Sequence, residues 1–490
     1  MEQLQNMYAT WAGEPCDKCL ALSSGGSSRR YYRLSGATHT CIGTVADDRR
    51  ENEAFFAYTR HFCDKGMPVP ELYMIAEDRC HYLQQDLGDM TLYGLLFDKK
   101  RQGGGFDAEM LTLYKQALAD LAALQMAGRD MDFRVAYPRS EFDRRSIFWD
   151  LNYVKYYFLK LAHIPFDEER LENDFEALAT QLLAADCSYF LYRDFNPRNI
   201  MVVGSSHQVS LSRDSTLPAI RYSLPAQLYY IDYQGGRRGA AQYDVASLLF
   251  SAKSDLPDVY RNELLAHYLD CRGFTGEDRE RWKEQYMSYV LIRILQTLGA
   301  YGYRGLYERK DYFLQSIPLA LRNLRNLLPH KTLFEGLPYL LSVLERLVQT
   351  DLATPKEILS GMNVTVMSFS YKQGLPQDPT ENGGGHVFDC RALPNPGRYE
   401  AFRCYTGKDQ PVIDFLRKEP TVDQFLAHAK ALVGQSVDKY LDRNFNHLMV
   451  SFGCTGGQHR SVYCAEQMAA WLRQTYPSVN VRVRHRERKD

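Results

Sequence analysis

The 490-residue sequence carries almost no net charge, with 59 Lys and Arg against 60 Asp and Glu for a formal net charge of −1. A chain so balanced is not, as a whole, an electrostatic binder of nucleic acid, and any basic surface has to be local. Long hydrophobic runs are missing too: no stretch approaches the roughly 18–20 apolar residues that a membrane helix needs. The first residues, Met1 to Trp11, mix acidic and amide side chains without the apolar centre of a signal peptide. A cytoplasmic location and no membrane partner are the expectation. The 11 cysteines are odd in number and follow no repeated spacing. Cys16 and Cys19 form a lone C-x-x-C with no second pair at zinc-like spacing, which predicts two unrelated reduced thiols in place of a metal site. No internal repeat is present.

What the sequence does have is the composition of a folded protein, 45% hydrophobic and 24% charged, in a chain long enough for two to four domains. Strands are predicted at Arg30 to Leu34, Cys41 to Val45 and Cys80 to Gln85, with an amphipathic helix from Arg50 to Asp64. Apolar residues at helical spacing (Leu111, Tyr114, Leu118, Leu121, Leu124) predict a helix over 107–126, and residues 150–185 read as helical again. A short β-rich stretch, Tyr189 to Val203 and Leu228 to Asp232, flanks a polar insert around 204–226, and helices follow from Tyr243 to about Gln349. Pro355 and Gly361 then interrupt the pattern. Beyond them strands (363–370, 386–391, 448–453, 479–484) alternate with helices (421–432, 459–474), as in a compact α/β domain. The expected division is 1–349, a linker at 350–361, and 362–490.

The most informative segment is Leu191-Tyr192-Arg193-Asp194-Phe195-Asn196-Pro197-Arg198-Asn199-Ile200-Met201. An Asp followed five residues later by an Asn puts a carboxylate and an amide around one tight loop. Phosphoryl transfer needs such a carboxylate to orient an attacking hydroxyl, and oxygen ligands for magnesium. Ile231-Asp232-Tyr233 delivers a second carboxylate at the end of an apolar strand. The segment resembles the catalytic loop of the aminoglycoside phosphotransferase and choline kinase superfamily, and Ile231-Asp232-Tyr233-Gln234 resembles its metal-binding motif. Tyr243 to Leu249 is similar to the stretch whose Asp ties down a helix start in that family. The bacterial kinases of N-acetylmuramate or N-acetylglucosamine are the nearest in pattern. The resemblance implies a bilobal, protein-kinase-like α+β domain using ATP and Mg2+, with Asp194 as catalytic base. It also implies Asn199 and Asp232 as metal ligands, a loop-positioning Arg193 and a structural Asp244.

The nucleotide side carries a weaker signal. Gly25, Gly26, Ser27 and Ser28 precede a strand and would cover phosphates with backbone N–H groups, or simply form a hairpin turn. Gln84 to Leu87, Gln85 and Leu87 in particular, would meet adenine. The strand Cys41-Ile42-Gly43-Thr44-Val45 holds no lysine where the resemblance calls for one. Glu53 on the next helix is then left without its usual ion-pair partner, for which Arg29, Arg30 and Arg33 are the candidates.

In the last third, Ser451 to Ser461 (S-F-G-C-T-G-G-Q-H-R-S) follows a strand and opens a helix. Glycines that let several N–H groups converge, a helix N-terminus and Arg460 together predict an anion site. The C-x5-R-S spacing also fits the phosphate loop of cysteine phosphatases, with Cys454 as nucleophile. Residues 363–490 resemble the carboxy-terminal domain of the RNase adapter protein RapZ, through Ser368 to Pro376, Val387 to Pro396, Thr406 to Asp409 and Gly453 to Val462. The resemblance implies a glucosamine-6-phosphate site lined by Asp389, Arg391, Thr455, Gly456, Gly457, His459 and Arg460, and a tendency to form homo-oligomers. Asp389 and Arg391, two apart, are expected on one strand face. The family's usual ATP-binding amino-terminal domain is missing, for no G-x-x-x-x-G-K-[ST] occurs. The basic tail (Arg482, Arg484, Arg486, Arg488, Lys489) is a candidate RNA contact or a solvated terminus.

Three readings follow. The first is a sugar kinase fused to a phosphosugar-sensing module, with an amino sugar as substrate. The second is a non-catalytic scaffold that binds glucosamine-6-phosphate and RNA, favoured by the missing lysine. The third is a phosphatase at Cys454.

Overall fold

The computed structural model describes residues 1–22, 29–204, 226–353, 362–376, 378, 385–443, 445 and 447–487. Gly25, Gly26, Ser27 and Ser28, most of the polar insert, the linker from 354 onward, Arg488 and Lys489 lie outside the described residues. By internal packing the chain divides into two units, Met1–Tyr307 with Ser316–Thr354, and Glu308–Gln315 with Pro355–Asp490.

The first unit begins with β1 (Lys18–Leu22), β2 (Arg30–Ser35), β3 (Thr40–Val45), β4 (Leu72–Ile75) and β5 (His81–Gln85). They form one antiparallel sheet in the order β1-β2-β3-β5-β4. Alternation along the strands gives the sheet two faces. One face, with Leu34, Cys41, Val45 and Leu83, packs on Leu4, Met7 and Tyr8 of helix α1 (Glu2–Ala12). The other receives α2 (Arg49–Asp64), whose start is fixed by the Asp48 carboxylate accepting from the N–H groups of Arg50 and Glu51. Phe55 and Phe56 of α2 meet the ring of Tyr82 on β5 at 5.4 and 5.2 Å.

The helical lobe holds α3 (Leu92–Arg101), α4 (Ala108–Ala127), α5 (Arg144–Val154), α6 (Glu168–Leu183), α7 (Gln242–Leu249), α8 (Asp258–Cys271) and the 26-residue α9 (Gly276–Tyr301). Residues 150–185, expected as one helical stretch, are interrupted: α5 runs into a π turn at Lys155–Leu159, and the chain passes Pro165 before Asp167 caps α6. The pyrrolidine ring cannot continue a helix across that gap. Two short antiparallel pairs, β6 (Tyr189–Leu191) with β9 (Arg237–Gly239) and β7 (Ile200–Val203) with β8 (Gln227–Tyr230), carry the loop from Tyr192 to Asn199 between them. They lie among buried rings, including Phe190, Tyr192, Phe195, Tyr230 and Tyr233. Gly236 is required there, since a Cβ would stand 2.3 Å from Phe190 Cζ.

In the second unit β10 (Asn363–Ser370), β11 (Gly385–Asp389), β12 (His447–Cys454) and β13 (Asn480–His485) form a parallel sheet in the order β11-β12-β10-β13. The helices Pro420–Asp442 and Arg460–Thr475 contribute Val422, Leu426, Val433, Val437, Cys464, Met468 and Leu472 to its core. The first of these extends ten residues past the expected end at 432, because its buried stripe continues through Val433 and Val437. The strand expected over 386–391 ends at Asp389, whose carboxylate accepts from Arg391 N and starts a 3-10 turn. Arg391 therefore leaves the strand, and the two side chains do not share a strand face.

Candidate functional site

In the first unit the segment after β6 turns sharply, with Arg193 at φ 81°. Two backbone N–H groups at the turn, those of Tyr192 and Arg193, donate to the two oxygens of the Asp244 carboxylate at 2.8 and 2.9 Å. Asp244 sits in α7 and thus ties down the loop, where the sequence suggested a tie to its own helix. Burial pushes its carboxyl up to about 7, against the pull of those two N–H groups and of Gln125. The Arg193 guanidinium turns inward onto Asp150 of α5 at 2.5 and 2.7 Å, between the rings of Phe142 and Tyr243.

With its neighbour anchored this way, Asp194 keeps a side chain that is 53% exposed, 3.5 Å from Arg293 of α9. Its backbone oxygen accepts from Asn196 N and from the Asn199 amide, both at 2.9 Å. The same Asn199 amide reaches Asp232 Oδ2 at 3.2 Å. Ile231 N donates to Asn199 O at 3.0 Å, and Tyr192 Oη donates to Ile231 O, which stitches the loop to the segment that leads from β8 to Asp232. Asp232 has φ 69° and accepts from Gln234 Nε2 at 2.6 Å. The structure therefore brings Asp194, Asn199 and Asp232 together.

Burial and the charge of Asp194 push the Asp232 carboxyl up to about 6. A carboxylate whose charge is disfavoured in this way, beside an amide that supplies a neutral oxygen, is a donor set that fits a hard divalent cation. Among the described residues no group of three or more His, Cys, Asp or Glu could hold a metal by itself.

The nucleotide side differs from expectation at its ion pairs. Glu53 pairs with Arg79 at 2.6 Å, not with Arg29, Arg30 or Arg33. Arg33 instead clamps Asp86 and Asp89 at 2.7 and 2.8 Å. Gln85 is the last residue of β5, with its N–H on Glu71 O, and Leu87 is buried.

In the second unit Ser370 pairs in register with Cys454, and Asp389 with Gly453. The candidate phosphosugar residues thus gather at the carboxyl ends of parallel strands, where α/β sheets commonly bind ligands. Asp389 pairs with Arg391 at 2.7 Å, and Arg391 lies 4.0 Å over the Tyr371 ring. Thr455 and Gly456 are exposed, and Gly457 takes φ 68°. Two residues depart from the expected aim. Arg460 donates to the backbone oxygens of Arg391 and Leu393 at 2.8 and 2.9 Å, and His459 Nε2 lies 3.0 Å from Phe402 O. Cys454 is 3% exposed and 3.1 Å from Ser461 Oγ. Burial alone would raise its thiol, but hydrogen bonds from Ser461 and Gly457 N–H, with the Arg460 charge, hold it below the usual range.

Asp150, Arg293 and Arg79 were not singled out in the sequence. The one available signal was Asp150, an acid between Trp149 and Leu151 that a buried arginine elsewhere would need.

Residues 18–210 match the phosphotransferase enzyme family, a stretch that includes Asp194 and Asn199 and ends before Asp232. Residues 362–489 match the RapZ C-terminal domain. A nucleotide-binding protein of Marinobacter nauticus is 43% identical over 120 residues, 24% of this chain and 38% of that protein. A second, from Herminiimonas arsenicoxydans, is 43% identical over 128 residues, 26% of this chain and 42% of that protein. The chain thus spans about two-fifths of the length of these curated relatives. Among solved structures, choline kinase LicA from Streptococcus pneumoniae aligns at a TM-score of 0.39 and 14% identity, covering 66% of this chain and 98% of that one. No helix among the described residues is long and apolar enough to cross a membrane.

Proposed function

We propose, from the premise that this chain joins a phosphotransferase-family domain to a RapZ C-terminal domain, that it phosphorylates a small-molecule hydroxyl with ATP and binds an amino-sugar phosphate. The acceptor is an amino sugar, N-acetylmuramate or N-acetylglucosamine. The observation that carries the reading is the convergence of Asp194, Asn199 and Asp232, with Asn199 2.9 Å from Asp194 O and 3.2 Å from Asp232.

In this reading Asp194, exposed and steadied by Arg293, orients the acceptor hydroxyl and takes its proton as the oxygen bonds to the γ-phosphorus and the bond from that phosphorus to the β–γ bridging oxygen breaks, releasing ADP. Arg193, Asp150 and Asp244 keep the loop in its turned conformation so that the carboxylate faces outward. Asn199 and Asp232 would hold Mg2+, which when bound neutralises charge on the phosphate oxygens. In the second domain Asp389 would accept from sugar hydroxyls, while Arg391 and the N–H groups around Thr455 to Gly457 would take the phosphate.

The test is ADP release by the intact chain with MgATP across a panel of amino sugars, with Asp194→Asn as control. The expected result is turnover with at least one sugar, reduced by about two to four orders of magnitude in the variant. Turnover that does not depend on Asp194 would sink the reading. A scaffold function is the second reading, and it is favoured by one observation: the cleft-side residues of β3 include no cation.

A further inference from the structure

We propose that Arg29 orients the nucleotide phosphates in this kinase domain, acting from the start of β2 in place of the lysine that β3 lacks. The inference rests on the phosphotransferase reading above.

Strand register fixes the relevant face. Tyr31 pairs with Thr44, and Thr44 with Tyr82. Side chains alternate along a strand, so Ile42 and Thr44 are what β3 presents beside Tyr31 and Tyr82. This is the face on which Phe55 of α2 packs against Tyr82, at 5.4 Å. Arg29, two residues before Tyr31, is 2% exposed, 3.4 Å from Glu51 and 5.7 Å from the Phe55 ring. The Phe55 ring in turn stacks on Tyr233 at 5.3 Å, next in sequence to Asp232. Arg29 and Tyr233, the residue after Asp232, therefore pack on the same Phe55 ring.

The other two arginines named as candidates are committed elsewhere. Arg30 has a side chain 58% exposed and 4.0 Å from Asp47, and Arg33 is spent on Asp86 and Asp89. A guanidinium offers a planar fork of donors that suits phosphate oxygens, and Glu51 steadies it as a positioning residue. Glu51, not Glu53, is then the α2 acid that matters.

The experiment is calorimetric titration of the intact chain with adenosine and with ADP plus Mg2+, for wild type, Arg29→Met and Arg29→Lys. The expected result is that Arg29→Met weakens ADP by about ten-fold or more. Adenosine, which has no phosphate, should be held equally by all three chains, and Arg29→Lys should recover part of the ADP loss. Equal losses for both ligands would mark a merely structural arginine and overturn the proposal, as would no loss at all. Should Arg29→Met not fold, the Arg29→Lys chain decides by the same comparison. A wild-type chain that binds neither ligand would sink the phosphotransferase reading itself, and this proposal with it.

Discussion

Asp244 has a charge state that departs far from that of a free aspartate. It is 0% exposed, and burial outweighs two backbone donors to push its carboxyl up to about 7. Against an ordinary Asp near 3.9, the folded chain holds a proton that the unfolded chain has released. A raised pKa stabilises fully below the unfolded value, and that contribution is lost as pH rises through about 7. An Asn at this position does not titrate, so comparison with Asp244→Asn cancels the other groups. The wild-type stability advantage over Asp244→Asn should shrink by about 2–3 kcal/mol between pH 5 and pH 8. Paired melting temperatures across that range check this, and a difference independent of pH would contradict it.

At the scale of elements, the joint between α5 and α9 is set by glycine. A Cβ on Gly302 would stand 2.0 Å from Tyr157 O, and one on Gly299 2.9 Å from Tyr153 Cδ1 and Val154 N. Both obstacles include backbone, which cannot rotate away. Gly302→Ala should therefore destabilise the first unit by about 1–3 kcal/mol. Gly105→Ala, where nothing lies within 4 Å, serves as the neutral control. Urea titration of both would show it, and equal midpoints would refute the packing argument. The same joint marks a limit of the sequence. Helices α2 and α4 were legible because an Asp cap precedes an apolar stripe in each. The edge strands β1 and β4 were not, since neither has a fully buried residue to give a period-two pattern. In the candidate site the Asp194 to Asn199 spacing is a local feature and readable. Its partners Asp150 and Arg293 lie 43 and 99 positions away from Arg193 and Asp194, joined only by packing. No periodicity records such pairs.

For the whole molecule, the two proposed ligand sites differ in what they ask of the chain. The candidate phosphosugar residues stand at the carboxyl ends of the parallel strands, and Arg391 is half-exposed, paired with Asp389 and lying over the Tyr371 ring. Arg460 is already occupied by two backbone oxygens. The phosphate should therefore depend on Arg391 far more than on a change that leaves that residue intact. Binding to the folded state stabilises by mass action, so ligand at 100 times its Kd adds about 2.7 kcal/mol to the unit that binds it. In a thermal-shift series on the intact chain, glucosamine-6-phosphate should raise a melting transition of wild type and of Asp194→Asn alike. Arg391→Ala should abolish that rise while leaving the response to ADP plus Mg2+ unchanged. Loss of the phosphosugar shift in Asp194→Asn would mean that the ligand occupies the kinase domain, and the C-terminal assignment would fail.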